Sequence, residues 1–109
     1  MRTVDEWSEI AESAYDDFKE ARRMFANAKA DYEHKRLTVK AQSEAKSQAA
    51  RDSEAEVAAR VEKVALIRAE SVLDITESYL KLAQNEMVAA MSVQKYMGRQ
   101  DGGTTWTDF

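Results

Sequence analysis

The chain has 109 residues, a formal net charge of −4, 33% charged residues and no cysteine. A chain without cysteine has no disulfides, no thiolate catalysis and no cysteine metal ligands, which suits an intracellular protein. No apolar run approaches the roughly 20 residues that span a bilayer. Residues 1–6 lack the apolar centre of a secretory signal, so the expectation is a cytoplasmic protein with no membrane partner.

Proline is absent and the first glycine is Gly98, so 97 consecutive residues carry no strong helix breaker. Ala, Glu, Lys, Leu and Arg supply 51 of the 109 residues, the profile of a coiled coil or long-helix protein. Eighteen of these are Ala and only five Leu, which favours close backbone approach over bulky filling. Two long helices bury little surface by themselves, and self-association is expected.

In chain order, Thr3 with Glu6 three residues later reads as a capping box, placing the first helix start at about residue 4. Asp5, Glu6 and Glu9 follow at its positive end. From Trp7 a heptad spacing selects Ala11, Ala14, Phe18, Ala21, Phe25, Ala28, Tyr32, Lys35 and Val39, with large and small side chains in alternation. Large apolar residues then vanish over residues 40–56. Ser53 with Glu56 resembles a second capping box, so the turn is predicted at about 50–53, between helices over about 4–49 and 54–97. The fold class expected is therefore all-α: a long antiparallel helical hairpin over residues 1–98, dimerising into a four-helix bundle.

The second helix carries two apolar stripes. Leu66, Ala69, Leu73, Thr76, Leu80, Ala83, Met87 and Ala90 repeat the large/small logic and pair with the first helix. The other stripe runs through Ala58, Val61, Ala65, Arg68, Val72, Ile75, Tyr79, Leu82, Glu86, Ala89, Val93 and Tyr96. A hairpin alone leaves that stripe wet, and a contiguous exposed apolar strip marks an interface. An antiparallel two-fold axis at Glu77 pairs Arg68 with Glu86, Val72 with Leu82 and Ile75 with Tyr79 across a homodimer. These six residues are the predicted self-association site, although Arg68 and Glu86 could equally extend their heads to solvent.

Residues 21–51 carry a net +5 and residues 52–78 a net −4. Folding one against the other neutralises a basic stripe that would otherwise follow phosphates. Nucleic acid is the lesser of two partner classes on that account. Asp31 and His34 lie one turn apart and Glu6, Glu9 and Glu12 share a face, yet a carboxylate-bridged bundle site wants two Glu-x-x-His pairs, and the chain has one His. No catalytic, metal or cofactor site is predicted, and the chain reads as a non-enzyme.

Gly98 is predicted to end the second helix. The tail over residues 99–109 carries Trp106, Asp108 and Phe109 as candidate docking residues for a protein partner; the other reading folds Trp106 back beside Trp7. An acid followed by a last Phe, as in Asp108 and Phe109, is similar to the tip of bacterial single-stranded DNA-binding proteins. Their acidic run and penultimate proline have no counterpart here. That resemblance implies docking on recombination or replication enzymes. Over its whole length, including Tyr32-x-x-Lys35 and Arg51-Asp52-Ser53, the chain resembles the small Ala/Glu/Arg-rich helical-hairpin proteins of tailed-phage early regions. The secreted ESAT-6-like hairpins share its size and plan but carry Trp-x-Gly at their turn, which this chain lacks.

The function expected is a phage-type adaptor or inhibitor of a host or phage protein, with an accessory factor of DNA recombination or replication as the alternative. Deleting residues 99–109 separates the two. Loss of partner capture from a bacterial lysate with helical content intact is expected for the adaptor, whereas DNA retention that survives the deletion marks the accessory factor.

Overall fold

A computed structural model describes residues 1–101, with side chains placed for residues 1–97. The chain is all-α: α1 (Val4–Gln42), α2 (Gln48–Ala58) and α3 (Arg60–Asp101), with no strand among the described residues.

The start of α1 follows from its cap. Glu6 N–H donates to Thr3 Oγ1 at 3.2 Å, and Thr3 N–H donates back to Glu6 Oε1 at 3.4 Å. Two backbone donors that the helix itself cannot satisfy are met this way.

The turn lies at residues 43–47, and the expected turn at 50–53 falls inside α2. Ser47, extended at φ −102° and ψ 150°, caps α2 by accepting the Ala50 N–H at 3.1 Å. Ser43 Oγ accepts the Ala45 N–H at 3.1 Å, and Arg51 Nε donates to the Ala45 carbonyl at 2.8 Å. Ser53 is not a cap because it lies inside α2, and the carboxylate of Glu56, its expected reciprocal partner, is engaged with Tyr32 on α1.

Between α2 and α3 the backbone bends at one residue. Ala59 sits at φ −95° and ψ 15°, yet its N–H still reaches the Ala55 carbonyl at 2.9 Å and its own carbonyl accepts the Lys63 N–H at 2.8 Å. The ladder thus survives the bend. At the other end, α3 continues through Gly98 to Asp101. Glycine ends a helix by turning left-handed, and no described glycine has positive φ, so the predicted stop at Gly98 is not taken.

The chain packs as two units, each built from α1 against α3. Unit 1 contains Met1–Phe18 and the chain from Thr76 onward; unit 2 is Lys19–Ile75 and includes α2. In unit 1 the buried residues are Ala11, Ala14, Leu80, Ala83 and Ala90. In unit 2 they are Ala21, Tyr32, Ala55 and Ala59. Trp7, Phe18, Phe25, Leu66, Leu73 and Met87 are half-buried beside these alanines. Among the described residues no large side chain is completely enclosed. The pattern is the large/small alternation of the sequence realised as a seam of methyl groups bordered by rings.

The cap assignment is checked by two substitutions. Ser47→Ala should lower unfolding stability by about 1 kcal/mol, whereas Ser53→Ala, within a helix, should change it by less than about 0.5 kcal/mol. Urea denaturation followed by circular dichroism measures both; equal losses would contradict the turn at 43–47.

Candidate interaction surface

Residues on α3 divide cleanly by face. Leu66, Ala69, Leu73, Thr76, Leu80, Ala83, Met87 and Ala90 are all buried or half-buried. Every residue of the other stripe, from Ala58 to Tyr96, is exposed. The six sequence-predicted residues Arg68, Val72, Ile75, Tyr79, Leu82 and Glu86 all belong to that exposed stripe, with Ile75 68% and Leu82 53% accessible. Val57, Val64 and Ile67 widen the exposed apolar surface beyond the heptad positions. Counting at strict 3,4 spacing passed over them. Arg68 and Glu86 make no ion pair among the described residues.

Around the turn, unit 2 carries a polar junction. The Tyr32 ring is buried, and its hydroxyl lies 2.8 and 2.9 Å from the two Glu56 carboxylate oxygens, donating its one proton to them. Lys63 Nζ stands 4.9 Å from the ring centroid and the Arg36 guanidinium 5.6 Å from it, so cations from α3 and α1 border one aromatic ring. Arg36 Nε is 2.9 Å from Glu56 Oε1 but its N–H is not aimed at that oxygen, which makes the contact an ion pair rather than an aligned hydrogen bond. One turn on, Lys40 Nζ meets Asp52 Oδ1 at 2.8 Å. The descending order of partners, Lys40 with Asp52 and then Arg36 with Glu56, shows that α1 and α2 run antiparallel. Charge neutralisation of the basic stretch by the acidic one is realised at these pairs.

In α1 the inner stripe is occupied as expected through Tyr32, but the expected Lys35 is exposed and Arg36 takes the half-buried place. Tyr32 and Arg36 are four residues apart, and their shared partner Glu56 sets that phase. Asp31 and His34 are both exposed, as are Glu6, Glu9 and Glu12. No group of three or more His, Asp or Glu among the described residues is placed to hold a metal ion. No described helix is long and apolar enough to cross a membrane. Trp106, Asp108 and Phe109 lie outside the described residues.

No protein-family model, no curated protein and no solved structure matches this chain.

The hydrogen bond from Lys40 is the largest influence on Asp52 and lowers its carboxyl below the usual aspartate range, with smaller help from the charges of Lys40 and Arg36 and a bond from Gln48. A depressed folded-state value means that the pair stabilises the fold above the unfolded aspartate pKa of about 4 and that this contribution is lost as pH falls through the lowered value. Thermal unfolding of Asp52→Asn should therefore be less pH-dependent than that of the parent below about pH 4, with the two curves offset and parallel near neutrality. Superimposable pH profiles would remove the Lys40–Asp52 pair as a stabilising contact.

Proposed function

We propose that this chain is a non-enzymatic, cytoplasmic protein–protein interaction module that pairs with a second copy through the outer face of α3. Four helices then form one bundle, which serves as an adaptor or inhibitor of another protein, in keeping with the resemblance to small phage hairpins. One observation carries this reading. The inner stripe of α3 already takes Leu66, Leu73 and Leu80 with its alanines, and a second set of large aliphatic side chains is left on the outer face, with Val61 78% accessible. An apolar strip of this kind is costly in water and is ordinarily covered by a partner.

A second copy is favoured as the cover because the face is self-complementary. With α3 antiparallel to its copy about Glu77, Val61 meets Val93, Ala65 meets Ala89, Val72 meets Leu82, and Arg68 meets Glu86 twice. Two charges that are unpaired in one copy find opposite charges in the other. Of the α1 cations that a nucleic-acid role would draw on, Arg36 and Lys40 are already paired with Glu56 and Asp52, while Lys29 and Lys35 are exposed without an ion pair among the described residues. The accessory-factor alternative draws on those exposed cations as well as on Asp108 and Phe109.

Arg68→Glu places like charges together twice per dimer and should weaken association at least tenfold, about 1.4 kcal/mol, as read by sedimentation equilibrium. Adding Glu86→Arg should restore it. A dimer indifferent to both changes would sink this register, and a monomer at all concentrations would sink self-association itself.

A further inference from the structure

Each unit carries an open groove beside the exposed face of α3. In unit 2 the apolar floor is Met24, Ala28, Val61 and Ala65, and the polar rim is Asn27, Asp31 and Glu62, around a space of about 290 Å³. Both ionisable rim residues are acids. Glu62 Oε2 is moreover buried with no hydrogen-bond partner, a costly state for a carboxylate oxygen. The groove thus lacks a cation and an apolar filling.

In unit 1 the groove is lined by Met1, Arg2, Val4, Asp5, Ala90 and Val93 among others, with a volume of about 460 Å³. Met1 is 99% accessible. Arg2, exposed, has its guanidinium 5.2 Å from the Trp7 ring centroid and makes no ion pair among the described residues. Asp5 lines the same groove without pairing with Arg2, so Arg2 is left without an anionic partner among the described residues and Met1 without a cover.

The antiparallel pairing of α3 about Glu77 sets Val93 on Val61 and Ala89 on Ala65. Val93 lines the first groove and Val61 and Ala65 line the second, so each copy's Arg2 groove comes over the other copy's acidic groove. We propose that in the homodimer Met1 and Arg2 of each copy close the Met24/Val61 groove of the other. Met1 covers the apolar floor, and Arg2 pairs with Asp31 and reaches toward the unsatisfied oxygen of Glu62. Two such contacts form per dimer, related by the two-fold axis. This inference rests on the dimer reading above and adds α1 to an interface otherwise made by α3 alone.

The test keeps the two readings apart. Arg2→Glu should weaken the dimer by about tenfold in sedimentation equilibrium at low salt, with helical content unchanged, and adding Asp31→Arg should restore it. Because the chain has no cysteine of its own, mixing an Arg2→Cys protein with an Asp31→Cys protein under oxidation gives a second readout. The mixed disulfide dimer should form faster than either symmetric one. If Arg68→Glu splits the dimer while Arg2→Glu leaves the dissociation constant within twofold and the mixed disulfide gains no advantage, the groove contact is wrong and the α3 pairing stands. If neither charge reversal has an effect, the pairing fails and the groove contact with it. A mixed disulfide without a response to Arg2→Glu would retain the proximity but overturn the proposed ion pair.

Discussion

Close approach through alanine is the constraint on which the other features depend. In unit 1 the seam is Ala11 and Ala14 on α1 with Ala83 and Ala90 on α3; in unit 2 it is Ala21 with Ala55 and Ala59. Methyl groups let two helix backbones come near, but they remove little apolar area from water, at roughly 25 cal/mol per Å². Rings must then border the seam, which is why Trp7, Phe18 and Phe25 are half-buried and not enclosed. Leu66, Leu73 and Leu80 fill the inner stripe of α3 together with the alanines. Val61, Val72, Ile75 and Leu82 belong to the opposite stripe and are exposed.

A second constraint acts at the turn, where residues 40–56 offer no large apolar side chain to hold α2 in place beside the buried Ala55. Polar contacts substitute for it. Tyr32 is the one large side chain of the buried set in unit 2, and it gathers Glu56 from α2, Lys63 from α3 and its α1 neighbour Arg36. Exposed ion pairs contribute little singly, so the buried ring with its charge-accepting partner is the main anchor. The same contacts draw Arg36 and Lys40 away from any phosphate. Structure at the turn and electrostatics of the surface are in this way one problem with one solution.

Most of this architecture was legible because helical periodicity is a local property. The Thr3–Glu6 cap, the alanine/aromatic stripe of α1 and both stripes of α3 follow from spacing alone, and the burial of each α3 position matches its stripe. What failed depended on contacts remote in sequence. Ser53 and Glu56 have the spacing of a capping box, but Glu56 is taken by Tyr32, 24 residues away, and Ser47, without an acid three residues on, caps instead. Lys35 yielded to Arg36 through the same partner. Gly98 permits a helix stop without compelling one. Of the candidate surface, the α3 stripe was readable. The groove that joins Met24 and Asp31 to Val61 and Glu62 was not, because it needs the pairing of two helices in space.

Arg68 and Glu86 decide what kind of partner the outer face of α3 can accept. Both stand in an otherwise apolar stripe, and both lack an opposite charge within their own chain among the described residues. Covering either with an apolar surface strands a charge away from water, and breaking a buried pair in that way costs about 3–5 kcal/mol. A hydrophobic cover that encloses either charged head is therefore disfavoured relative to one that leaves it in water. A partner that presents an acid and a base at matching positions meets both requirements, and an antiparallel copy of α3 does so without any further design. In the proposed dimer the two charges contribute less to affinity than to discrimination: the aliphatic residues between them supply the apolar contact, and the charges select direction and register.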